Sequence, residues 1–115
     1  IPMHRDRLKS REFDHIDLLC VETAKLCNCR YIKNLLLKTK NTNQQANLKR
    51  IERLNNVRNS FTINPGFAQN LGTLKNILLI DDVYSTGATI NECSRELKKH
   101  NRQLTIYGIT IARGI

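Results

Sequence analysis

Two neighbouring acids, Asp81 and Asp82, open the stretch of this chain whose residue types could do chemistry. They follow Asn76-Ile77-Leu78-Leu79-Ile80 and precede Ser85-Thr86-Gly87-Ala88-Thr89. Adjacent carboxylates repel one another and suit no apolar core. They are useful where they accept hydrogen bonds from vicinal hydroxyls or hold a divalent ion. The residues after them lead into a helix start, where unpaired backbone N–H groups and the positive end of the helix dipole favour a phosphate. Gly87 permits close backbone approach, and Ser85, Thr86 and Thr89 add hydroxyl donors. Diol acceptors followed by an anion cup describe a site for a 5-phosphorylated ribose. A Walker A loop fits poorly, because no Gly-Lys-Ser/Thr is present. An ordinary capped turn accounts for one acid and one hydroxyl but not for the ordered set.

The elements that must position these residues are legible around them. Residues 76–80 form a run of branched apolar side chains, as expected of a buried parallel strand ending at Asp81-Asp82. A helix is expected from about Gly87 to His100, burying Ile90, Cys93 and Leu97, and a closing strand over residues 104–111. Strand, helix and strand in so short a span make a βαβ unit, hence an α/β sheet with a right-handed crossover. Upstream, Asp14 resembles an N-cap, and Ile16, Leu19, Cys20, Thr23, Ala24 and Cys27 recur at helical spacing. Residues 31–37 read as a strand and residues 38–45 as a polar loop. Residues 46–55 read as a short helix with Lys49, Arg50 and Arg53 on its outer face. Residues 59–72 are turn-rich, with one short strand near 61–63, and residues 3–12 read as a basic loop.

The 115 residues leave room for one domain. The chain opens at Ile1, and it is expected to lack an N-terminal part of its fold. Lys and Arg number 19 against 10 acids, a net charge of +9. The excess is uneven, +7 over residues 1–60 and +2 over the remainder. Such a front half suits a polyanion, either a phosphorylated small molecule or a nucleic-acid backbone, and equally a solvated surface. Cys27 and Cys29 have a single residue between them, too few for a zinc ribbon, while Cys20 and Cys93 fall on apolar helical faces. No apolar run approaches membrane-spanning length and no secretory segment is evident, so a reducing cytoplasm is the expected setting. His4, His15 and His100 are expected to be solvated, capping or dipole-complementing groups rather than catalysts.

Residues 77–89 resemble the type I phosphoribosyltransferase signature of an apolar strand, two acids and a Thr-Gly-x-Thr loop. Most of the remaining chain is similar to the ComF family of competence-related, amidophosphoribosyltransferase-like proteins. Ile1-Pro2-Met3-His4 with Arg5, Arg7, Leu8 and Arg11-Glu12-Phe13 carries part of that likeness. Thr42, Gln45, Leu48, Arg53, Asn56-Val57 and Phe61 carry more, as does the ending over residues 106–113. The resemblance implies a parallel sheet flanked by helices, here without its N-terminal strand and without the family's zinc ribbon. It implies that Asp81 and Asp82 are the catalytic acids that hold the ribose hydroxyls and the associated Mg²⁺. Ser85, Thr86, Gly87, Ala88 and Thr89 would cup the 5-phosphate. Lys38, Lys40 and Thr42 would belong to a flexible loop over pyrophosphate. The implied ligand is phosphoribosyl pyrophosphate or another phosphorylated ribose.

Departures from the family pattern bear on activity. Its Gly-Phe-Asn-Gln motif is Glu12-Phe13-Asp14-His15 here, which puts turnover in question. Ser85 stands where purine-salvage relatives place an acid, which disfavours a purine acceptor. Two other readings therefore stand beside an enzyme. One is a non-catalytic regulator or DNA-uptake component touching single-stranded DNA, favoured by the basic front half but not by only three Tyr and three Phe. The other is a fragment that does not fold alone, since a missing central strand would leave backbone groups unpaired.

Overall fold

A computed structural model describes residues 1–2, 15–39, 58–84 and 87–113, and for Val83, Tyr84 and Arg113 the backbone alone. The expected basic loop over 3–12, the Asp14 cap, the helix over 46–55, and Lys40, Thr42, Ser85 and Thr86 lie outside the described residues. Within them the order is α1 (His15–Cys27), β1 (Leu36–Lys38), β2 (Phe61–Ile63), a 3₁₀ segment (Pro65–Thr73), β3 (Asn76–Tyr84), α2 (Ala88–His100) and β4 (Thr105–Arg113).

The βαβ unit is present, with β3 and β4 paired in parallel from Asn76↔Thr105 to Tyr84↔Arg113. The β3 strand does not end at Asp81-Asp82 as expected but runs on to Tyr84, with Asp81, Val83 and Tyr84 paired to Thr110, Ala112 and Arg113 of β4. Pairing with β4 supplies backbone partners that outlast the apolar run, so the side-chain pattern underestimates the strand. Gly108 lies opposite Leu79 and lets Ile90 of α2 approach, since a Cβ there would meet the Ile90 Cδ1 at 3.1 Å. Ile77 and Leu79 share that face by strand alternation. Leu79 joins Leu97, Cys93, Leu104 and Leu71 in the core. Ile90 is only half-buried, whereas Ala88, Cys93 and Leu97 are buried as α2's inward stripe.

The opposite face is covered unevenly. Helix α1 packs near β3 and buries Ile16, but Tyr107, Ile109 and Ile111 of β4 remain 57%, 48% and 68% exposed. The expectation of one parallel sheet is met only in part, because the described strands form two separate pairs. The second is antiparallel, β1 with β2, matching Leu36↔Ile63 and Lys38↔Phe61.

The strand expected over 31–37 is confined to Leu36–Lys38. The Tyr31 hydroxyl donates to the Asp17 Oδ1 at 2.7 Å, and the Lys33 Nζ sits 3.4 Å from the same oxygen. Asn34 then takes a left-handed φ of 65°. These contacts fold residues 31–34 back onto α1, so extension begins only after the turn. At the far end of α1, Asn28 has a φ of 51°, and the Cys29 N–H donates to the Ala24 carbonyl at 3.0 Å. That arrangement is a left-handed helix cap, which Asn tolerates better than other non-glycine residues.

The 3₁₀ segment is tied at both ends by asparagines. Asn64 accepts from the Gly66 N–H at 3.1 Å and donates to the Asn34 carbonyl at 3.1 Å. Asn101, closing α2, donates its amide to the carbonyls of Leu71 (2.7 Å) and Leu74 (3.1 Å). These bonds take up the Gly66 N–H and the carbonyls of Asn34, Leu71 and Leu74. No helix among the described residues is long and apolar enough to cross a membrane.

Candidate functional site

Asp81 and Asp82 occupy the carboxyl half of β3, and α2 begins six residues after Asp82. Between them Gly87 adopts a φ of 79° with no side-chain cap, and its carbonyl accepts the first helical bond from the Asn91 N–H at 2.9 Å. Side-chain caps occupy the space in front of a helix start. A glycine in this conformation leaves it to backbone groups alone. Ala88 is buried and Thr89 half-buried immediately behind it. Asp81, Asp82, Gly87, Ala88 and Thr89 thus lie at one end of the parallel pair, where open α/β sheets bind ligands.

The two acids are not equivalent. Asp81 is half-buried and Asp82 exposed, and the Asp82 N–H donates to the Asp81 Oδ1 at 3.0 Å. Burial pushes the Asp81 carboxyl up to about 6, against the lowering effect of that N–H bond and with a further upward push from the neighbouring Asp82 carboxylate. A carboxyl whose folded value is raised binds its proton more tightly in the native state than in the unfolded chain. Stability therefore falls as pH rises from about 4 to about 6, and the loss persists above that window. Between pH 5 and pH 7 the wild type should lose thermal stability through this group, and Asp81→Asn should lose less. Parallel melts at the two pH values check this; identical pH dependence in both proteins would refute the assignment.

Lys38 ends β1 rather than lying in a loop, with its Nζ 5.8 Å from the centroid of the Phe61 ring. Cys93 of α2 is buried, its thiol pushed up to about 12 chiefly by burial, and it feels the charges of both Asp81 and Lys38. The other cysteines differ: Cys20 is half-buried, and Cys27 and Cys29 are exposed. Among the described residues no group of three or more His, Cys, Asp or Glu could hold a metal by itself. His100 ends α2 beside Lys98 and Lys99, with its Nδ1 3.3 Å from the Glu96 carbonyl, as dipole complementarity expects.

Sequence reasoning missed Glu92. Only 8% exposed, it accepts from the Asn59 N–H at 2.9 Å and from the Arg95 Nε at 3.1 Å. The only signal in the sequence is the Glu92/Arg95 spacing of three, common on any helix.

Two curated proteins are similar to the chain. Competence protein F of Haemophilus influenzae is 26% identical over 113 residues, covering 97% of this chain and 48% of that protein. DNA utilization protein YhgH of Escherichia coli is 26% identical over 100 residues, covering 87% of this chain and 42% of that one. The chain spans about half the length of the curated relatives it matches. These likenesses support a ComF-family relationship. No family model matches the chain. No solved structure matches it either.

Proposed function

We propose that this chain is the phosphoribosyl-binding part of a competence-related protein, acting on phosphoribosyl pyrophosphate or another phosphorylated ribose. One observation carries the reading: paired acids at the carboxyl end of a parallel strand, followed by a left-handed glycine that opens a helix without a side-chain cap. Asp81 and Asp82 accept hydrogen bonds from the ribose hydroxyls. Ser85, Thr86, Gly87, Ala88 and Thr89 cup the 5-phosphate with backbone N–H groups and hydroxyls. Lys38, with Lys40 and Thr42 in the following segment, faces the pyrophosphate. Two interacting carboxylates, one driven toward protonation, fit a Mg²⁺-bound ligand, because a divalent cation stabilises both in their charged forms. The ion, when bound, supplies charge neutralisation of the pyrophosphate.

Transfer from such a ligand builds positive charge on the ribose and negative charge on the leaving pyrophosphate. The acids and Lys38 carry the matching signs. The acceptor is unassigned, and Ser85 argues against a purine.

Calorimetric titration with phosphoribosyl pyrophosphate, with and without Mg²⁺, tests the reading. Binding should require Mg²⁺ and vanish in the Asp81→Asn/Asp82→Asn double variant. A folded wild type that binds nothing refutes it.

The names of the two relatives and the +7 front half support a second reading, a non-catalytic component that contacts single-stranded DNA. Fluorescence anisotropy with an oligonucleotide at two salt concentrations separates it from the first, since phosphate contacts weaken steeply with salt.

A further inference from the structure

We infer that Glu92 is a positioning residue, which holds the β1–β2 ladder against α2 and so fixes where Lys38 presents its charge relative to that helix. The inference deepens the phosphoribosyl reading and rests on it for its ligand.

A buried carboxylate is costly unless its oxygens are satisfied. Glu92 meets that requirement with groups from two elements. It accepts from the Asn59 N–H (2.9 Å) and the Arg95 Nε (3.1 Å), and its Oε1 also takes a short bond from the Arg95 Nη2. The same Nη2 donates to the Asn59 Oδ1 at 2.9 Å, closing a ring of contacts around one turn. Asn59 holds a left-handed φ of 57°, which aims both its N–H and its side chain at α2. These bonds keep the Glu92 carboxyl below its usual range, with Arg95 as the largest cause.

From Asn59 the constraint passes along two residues. The fully buried Ser60 carbonyl accepts from the Thr39 N–H at 2.7 Å and the Thr39 Oγ1 at 3.1 Å. Phe61, only 3% exposed, pairs with Lys38 and lies under its ammonium. Helix α2, which carries Glu92, is the one opened by Gly87. Fixing Asn59 on α2 therefore fixes the Lys38 charge relative to the phosphate end of that helix.

The experiment reads Lys38 directly and the ligand separately. In the wild type, the Lys38 ε-methylene protons should carry an upfield ring-current shift from Phe61, seen by NMR. In Glu92→Gln and in Arg95→Lys, which keeps charge but loses the planar fork, that shift should move toward its unstructured value. Two folded variants with the wild-type shift would overturn the inference. In the ligand arm, Glu92→Gln should weaken phosphoribosyl pyrophosphate about tenfold while leaving ribose 5-phosphate within about twofold, since only the former needs the Lys38 charge. Equal losses for both ligands would also overturn it. A wild type that binds neither ligand yet shows the shift and its loss in the variants sinks the phosphoribosyl reading and leaves the clamp standing.

Discussion

Leu97→Ala should destabilise the folded chain by about 3–5 kcal/mol, the upper range for a buried leucine. Leu97 is fully buried on α2, among side chains drawn from several elements. Leu71 comes from the 3₁₀ segment, Leu79 from β3, and Leu104 from the turn before β4. A site walled by one mobile element can collapse around a lost side chain. Here the 3₁₀ segment is held by the two Asn101 bonds, and β3 by its ladder with β4. Little relaxation is available, so the cavity term adds almost fully to the lost transfer energy. Domains of this size are stable by only about 5–15 kcal/mol, so the variant should lose a large fraction of the total stability. Urea unfolding followed by circular dichroism measures the change. A loss under about 1 kcal/mol would show that the core around Leu97 is not packed as described.

Gly87→Val should reduce binding of phosphoribosyl pyrophosphate by about a hundredfold or more, the scale set by small misplacements of a binding constellation. A β-branched residue at a φ of 79° is a genuine outlier, and such strain costs roughly 1–3 kcal/mol. The chain relieves the strain by rotating Gly87 toward negative φ. That rotation turns the opening N–H groups of α2 away from the end of β3. Gly87 is also buried, which leaves little room for the added methyls. Calorimetry on the variant, with circular dichroism to verify folding, reads the outcome. Affinity within about twofold of the wild type would remove Gly87 from the phosphate cup.

The pattern of apolar residues was enough to find both strands of the parallel pair and the helix between them. Residues 77–80 are branched and continuous, residues 106–111 carry Ile106, Ile109, Thr110 and Ile111 around Tyr107 and Gly108, and α2 keeps its inward stripe at Cys93 and Leu97. Such periodic signals are local, and local signals survive folding. The limits of these elements were less legible. The β3 strand continues past Asp82 to Tyr84 because β4 offers Ala112 and Arg113 as partners there, a fact no side chain announces. Residues 31–34 look like strand by composition, yet Asp17 captures Tyr31 and Lys33 from a distance in sequence.

For the candidate site, the sequence by itself determined which groups stand in order: two acids, a glycine that permits close backbone approach, and hydroxyls on either side. Residue type and spacing suffice for that, because strand, turn and helix start follow one another along the chain. Only the tertiary structure decided that Asp81 is the half-buried acid with a raised proton affinity and Asp82 the exposed one. It alone placed Lys38 over the Phe61 ring, and set Glu92 against Asn59 across 33 residues. Burial and long-range pairing depend on how elements pack, and packing is a property of the whole folded chain.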